Sequence, residues 1–258
     1  MKGIKIIVLV IVLGVIIYGG VKLFKGQDKI EDFDFSKLEE IINATSTSPE
    51  VKIEKIENEG GLISYEGQDI ADIGNDDFIN KVSKEQVEKY KAELVRLKGV
   101  LEENPMNVDG WIGVGMIKKF FNNYEGARDA WEYAKYLNDD NSVNYYNLGN
   151  LYSENLKDYQ MAETNFLKAL EIGRKEVSYY IAVADFYRNF YIEKRGEAKK
   201  ILENGIKEVP NDISLLSYAA EYYKKEGNKE RALELYKKVL EFGPDNEMIK
   251  EEINNLEK

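Results

Sequence analysis

Residues 145–169, YYNLGNLYSENLKDYQMAETNFLKA, and residues 216–239, LSYAAEYYKKEGNKERALELYKKV, decide how this chain folds. Each has two stretches with apolar residues at helical spacing, joined by a short polar turn, which is the pattern of a helical hairpin. Laid over one another they agree in residue type as well as in period. Tyr145, Leu148, Gly149 and Tyr152, then Ala162, Phe166 and Ala169, match Leu216, Ala219, Ala220 and Tyr223, then Ala232, Tyr236 and Val239. The spacing predicts a first helix A and a second helix B in each unit. The small residue of helix A lets helix B approach closely, and the aromatic of helix B fills the space that remains.

The pattern recurs twice more at a period of about 34 residues, the signature of a repeat architecture. One window reads Trp111, Val114 and Gly115, then Ala127, Trp131 and Ala134. Another reads Tyr180, Val183, Ala184 and Tyr187, then Ala198, Leu202, Gly205 and Pro210. Pro105, Pro210 and Pro244 stand where a helix must stop, because proline lacks the amide hydrogen and clashes with the preceding turn. The run of large apolar residue, Leu-Gly, Tyr, Ala, aromatic, Ala and Pro resembles the tetratricopeptide repeat family. The resemblance spans about residues 108–246 and implies an all-α solenoid of four repeats, about 108–141, 142–176, 177–212 and 213–246. The second and third repeats carry one and two extra residues in the A-to-B turn, around 156–159 and 191–197. In the first, Lys118 occupies a place where the family usually has an aromatic.

Ser83-Lys-Glu-Gln86 is a capping-box signature, so a helix over about 84–103 is expected before the first repeat. EMIKEEINNLEK (247–258) is expected as a closing helix with a polar outer face, which a stack needs at its end. Together these give a domain over 83–258. Residues 26–82 are rich in Asp, Glu, Asn, Ser and Gly and lack a sustained helical period, and they read as a largely flexible polar linker. SKLEEII (36–42) is a short helix candidate, and VKIEKI (51–56) with GLISYEG (61–67) is a hairpin candidate. A second reading has part of this segment ordering against the first helices or a partner.

The N-terminal residues 1–25 hold the run IIVLVIVLGVII (6–17) within an uncharged stretch of 16 residues between Lys5 and Lys22. With lysines able to snorkel at each end, this is expected to be a single transmembrane anchor. A cleaved secretory signal is the rival reading, but the run exits into Tyr-Gly-Gly-Val-Lys instead of an A-x-A-like site. The short positive tail before the run points to a repeat domain outside the cytoplasm, although Lys22, Lys25 and Lys29 on the far side nearly balance it.

Composition excludes more than it selects. The chain has no cysteine and no histidine, which removes disulfides, thiolate nucleophiles, histidine-based triads and nearly all zinc sites. The net charge is −11, and because residues 1–25 carry four lysines and no acid, the remainder is more acidic still. An acidic body with mixed Lys and Glu along its helices offers no footprint for nucleic acid. No cofactor or metal is expected. The acid pairs Glu102-Glu103 and Asp139-Asp140 fall at turns and read as solvated helix ends, so no catalytic residue is assigned and the chain is read as non-enzymatic.

The resemblance implies that the A helices line a concave groove that binds an extended peptide or a partner helix. By the family register the groove residues are Ile112, Met116, Lys119 and Phe120, then Tyr146, Asn150 and Ser153, then Ile181, Asp185 and Arg188, then Ser217, Glu221 and Lys224. Ile112 and Met116 stand where the family's carboxylate clamp needs Lys and Asn, which disfavours that specificity. Aromatic and aliphatic residues beside Asn150 and Arg188 suit an apolar-anchored peptide whose backbone is held by the amide. The same aromatics are also what simple packing between helices would use. The expectation is a membrane-tethered scaffold for a protein or peptide partner. The alternative is a self-associating structural spacer.

Overall fold

The computed structural model describes residues 64–74 and 76–258. The expected anchor at 1–25, the SKLEEII helix and the VKIEKI strand lie outside these residues. Among the described residues the regular elements are all helical: α1 (Asp76–Ile79), α2 (Lys84–Glu103), α3 (Val108–Phe120), α4 (Tyr124–Leu137), α5 (Ser142–Leu151), α6 (Tyr159–Ile172), α7 (Val177–Asn189), α8 (Glu197–Glu208), α9 (Ile213–Lys225), α10 (Lys229–Phe242) and α11 (Glu247–Glu257). None of the described helices is long and apolar enough to cross a membrane. Ser64–Gly67, the described part of the suggested hairpin, form no strand.

The chain divides into two compact bodies, one running to Glu208 and one holding Val209–Lys258. In the first body α3 pairs with α4, α5 with α6 and α7 with α8, and α4 packs on α5 and α6 on α7. In the second body α9 pairs with α10, and α11 packs on α10. The reason each hairpin closes is visible at two glycines. A Cβ on Gly115 would lie 2.3 Å from the Trp131 indole nitrogen, and one on Gly149 would lie 2.5 Å from the Phe166 ring. The missing side chain is filled by the aromatic of the facing helix. Trp131 is 2% exposed, and its indole N–H donates to the Ile112 carbonyl at 3.1 Å, so its one polar atom is satisfied inside the core.

The A-to-B turns have a common construction. In the first, Asn122 takes a left-handed backbone (φ 59), and Asn123 N–H and Asn122 N–H donate to the carbonyls of Lys118 and Lys119. In the fourth, Gly227 (φ 78) and Asn228 repeat this with Tyr223 and Lys224, so both turns close the last carbonyls of helix A by the same pair of bonds. The second repeat absorbs its extra residue without losing the turn. Its helix A ends in a π turn over Tyr152–Leu156, Lys157 takes the left-handed place (φ 60), and Asp158 N–H reaches back to the Tyr152 carbonyl. The third repeat uses a short 3-10 turn, Ile192–Lys194, for its two extra residues. That longer turn is pinned by Glu163 of α6, which is 3% exposed and accepts from Tyr187 Oη at 2.8 Å and Lys194 Nζ at 2.6 Å.

The new helices are started mostly by Asn and Asp. Asn107, Asn123, Asn141, Asp158, Asp212 and Asn246 each accept a backbone N–H of the following first turn. Ser83 does the same for α2 by accepting from Gln86 N–H.

Residues 64–74 and 76–82 correct the expectation of a flexible linker up to residue 82. They form a strap that docks on the first hairpin. Tyr65 lies 4.4 Å from the Trp111 ring and edge-on to Tyr133 at 5.5 Å, Ile73 is buried, and Phe78 meets Phe120 and Phe121. Tyrosine, isoleucine and phenylalanine spaced over fourteen positions supply apolar contacts without a helical period, so periodicity did not disclose them.

Candidate functional site

Most groove positions read from the sequence lie on helices A at spacings of four and three residues, so each set shares one helical face. On α3 these are Ile112, Met116 and Lys119, all partly exposed. On α7 they are Ile181, Asp185 and Arg188, again partly exposed. On α5, Tyr146 and Asn150 are partly exposed, whereas Ser153, in the π turn, is buried and donates to the Asn150 carbonyl at 3.1 Å. Neighbouring helices A of the first body are linked on this side by Lys119 Nζ to Glu154 at 3.3 Å. A second link is the stack of Tyr146 on Tyr179, 4.6 Å between centroids and 22° between planes.

Several of the expected contacts are therefore already committed inside the protein. Tyr146 serves packing between α5 and α7, and burial pushes its phenol above the usual tyrosine range. Asn150 donates from Nδ2 to the carbonyl of Tyr146, one turn back on its own helix, at 3.0 Å. Arg188 lies 3.9 Å from Asp185 on α7, and Asp185 also accepts from Asn189 at 3.1 Å. These polar residues have local partners that the sequence did not reveal, because i, i+3 and i, i+4 pairs on one helix are available to almost any such residue. Phe120 is 44% exposed but sits in an aromatic group with Tyr90 at 5.3 Å, Phe121 at 4.9 Å and Phe78 at 6.1 Å. Half of its surface belongs to the junction of α1, α2 and α3.

In the second body, Glu221 of α9 is 6% exposed and pairs with Lys225 at 3.2 Å, while Lys224 reaches Glu252 of α11 at 2.9 Å. Burial raises the Glu221 carboxyl above the usual range, and the hydrogen bond from Lys225 and the charge of Lys224 oppose that rise. Its second oxygen is buried without a hydrogen-bond partner. Ser217 is partly exposed on the same helix.

Lys118, the residue that departs from the repeat pattern in the first hairpin, has a structural role. It is fully buried, and its Nζ donates to the carbonyls of Asp69 at 2.8 Å and Asp72 at 2.7 Å in the strap. Burial pushes its ammonium below the usual lysine range, against the pull of Asp72, Asp69 and Asp129. A lysine where three other repeats have Tyr152, Tyr187 and Tyr223 was the one signal in the sequence that something polar covers this face. The acid pairs considered for catalysis, Glu102-Glu103 at the end of α2 and Asp139-Asp140 between α4 and α5, are exposed. No group of three or more potential metal ligands occurs among the described residues.

These features define a helical-hairpin repeat protein whose helices A present partly exposed polar and apolar side chains in register. The family model described as "Tetratricopeptide repeat" matches residues 143–175 and 219–246, within the second and fourth hairpins. A 54-residue stretch is 35% identical to the human (Homo sapiens) interferon-induced protein with tetratricopeptide repeats 2, covering 21% of this chain and 11% of that protein. Among solved structures, that of MamA is similar over 61% of this chain and 91% of the other, at 21% identity and a TM-score of 0.48. That of YrrB, described as a TPR protein with an unusual peptide-binding site, is similar over 65% of this chain and 84% of the other, at 20% identity and a TM-score of 0.46.

Proposed function

We propose that this protein is a scaffold that binds a peptide or partner protein along the helix A faces of its repeats, tethered to a membrane by residues 1–25. The observation that carries the binding reading is the repeated register. Met116 on α3, Asn150 on α5 and Asp185 on α7 occupy equivalent places in successive repeats and stay partly exposed, as do Lys119 and Ile181 beside them, where a helix packed on both sides would bury them. A mixture of thioether, aliphatic, amide and paired charges suits a partner with apolar anchors and a polar backbone. Catalysis has no comparable support, since the acid pairs stand alone at exposed turns. The tether rests on the uncharged run of residues 6–21 and its flanking lysines.

End-to-end self-association finds less support. The outward residues of α2 include Lys84, Glu85, Glu88, Lys89, Lys91 and Arg96, and those of α11 include Glu247, Glu251 and Glu257, so charge outweighs the exposed apolar residues Val95 and Met248 on these helices.

The test is photo-crosslinking in the full chain in its own cells, with the reactive residue at Met116 and, as control, at exposed Gln160 on α6. A discrete partner captured from Met116 and absent from Gln160 supports the reading. Equal yields of the same species from both positions would overturn groove binding. Carbonate extraction of the same cells tests the tether, which requires the intact chain to stay with the membrane fraction and a chain lacking residues 1–25 to leave it.

A further inference from the structure

The strap contacts the first hairpin as a ligand contacts a receptor. Its own turns hold it in shape: Asp72 N–H donates to the Asp69 carbonyl at 3.1 Å, Ala71 N–H to Asp69 Oδ1 at 3.1 Å, and Gly74 N–H to Asp72 Oδ1 at 2.9 Å. That folding brings two carbonyls, three residues apart, onto the single ammonium of Lys118. Around this centre the anchors recur every four residues. Tyr65 packs against the rings of Trp111 and Tyr133, which themselves meet at 4.8 Å, Asp69 meets Lys98 Nζ at 2.9 Å, and Ile73 is buried in the core cluster with residues such as Leu94 and Val114. Asp129 accepts the backbone N–H of Gln68 at 3.3 Å.

The place taken by buried tyrosines in the other repeats is here a lysine, which water solvates well when the strap leaves, whereas a bared tyrosine or phenylalanine would add to an exposed apolar patch. The cost of burying that ammonium also limits how tightly the strap is held, which favours exchange over permanent closure.

From this we infer that the face of α3 and α4 around Lys118 is a second peptide-binding site, distinct from the helix A register, and that residues 64–74 are its built-in and separable ligand. The ligand class is a turn-forming peptide of the pattern Tyr-x3-Asp-x3-Ile, read by the Trp111 and Tyr133 rings, the cations Lys118 and Lys98, and an apolar seat for the isoleucine in the core cluster. Backbone carbonyls meet Lys118 whatever the side chains, so sequence selection falls on the tyrosine, the aspartate that meets Lys98 and the isoleucine.

The experiment uses the full chain carrying Tyr65→Ala and Ile73→Ala, which leaves the receptor face untouched, and a synthetic peptide of residues 64–74 as probe. Hydrogen exchange at the Gln68 amide is expected to rise by about a hundredfold or more, as docking bonds open, while amides in α3 and α4 stay within about tenfold of the parent. Added peptide is expected to restore the Trp111 emission saturably, and the same peptide with Tyr65→Ala is expected to fail. Placing Lys118→Met in the receptor is expected to weaken peptide binding by tenfold or more with the helices still protected. Loss of protection through α3 and α4 together with the strap would show that the strap is part of the fold and overturn the proposal. So would unchanged exchange at Gln68, or absence of saturable binding up to millimolar peptide.

Discussion

At the scale of single residues, the packing depends on side chains that are missing as much as on those present. Gly115→Ala is expected to destabilise the protein by about 1–3 kcal/mol, since the new methyl must displace a buried indole and the better helix propensity of alanine recovers only part of that. Thermal or denaturant unfolding measures it. Glu221 gives a sign that pH can check. Its carboxyl is raised in the folded state, so the folded protein holds a proton that the unfolded chain has released, and the contribution of this residue to stability falls as pH climbs from the ordinary glutamate range through the raised one. Glu221→Gln is expected to remove that slope and to be at least as stable as the parent at pH 7. The readout is the unfolding midpoint of both proteins between pH 4 and pH 7; a parent that gains on the variant as pH rises would refute it.

At the scale of elements, the turns decide where helix A gives way to helix B. Lys157 occupies a left-handed place that Gly227 fills in the fourth repeat, and a side chain there costs about 1 kcal/mol. Lys157→Gly is therefore expected to raise stability by about that amount, and Gly227→Ala to lower it by a similar amount, both read from denaturant midpoints. Loss of a cap is expected to be comparable: Asp158→Ala leaves the Met161 amide without its acceptor and costs about 1 kcal/mol. The existence of these hairpins was legible because small and aromatic residues recur at fixed offsets. The way the second and third turns absorb their extra residues was not, because a π turn and a 3-10 turn differ from an ordinary helix end by one hydrogen bond, and both use residues common in any turn.

At the scale of the molecule, the strap ties distant sequence to the first repeat, and its stability should carry the signature of Lys118. The folded protein holds this ammonium at a lowered affinity for its proton, so between that lowered value and the ordinary lysine value the unfolded chain binds more protons than the folded one. Stability is expected to rise with pH through that alkaline window, and Lys118→Met is expected to abolish this part of the rise. A calorimetric comparison of the two proteins from pH 8 to pH 10 tests it. The variant itself is expected to cost about 2–4 kcal/mol at neutral pH if the two carbonyls it leaves stay buried, and less if the strap lifts away and hydrates them.

That this chain is a series of helical hairpins is legible without coordinates, since period, small residues and breakers are local properties that survive without knowledge of what lies across the interface. The sequence also marked the register of helix A, because spacings of three and four residues place side chains on one face in any helix. Tertiary structure alone decided which of those side chains remain available. Tyr146 went to a stack with Tyr179, Asn150 turned back on its own helix, and Glu221 was buried beside Lys225. Only the fold, too, brought residues 64–74 onto Lys118, a contact across more than forty positions whose two acceptors are backbone carbonyls. Carbonyls are the same in every residue, so no reading of side-chain types could have pointed to them.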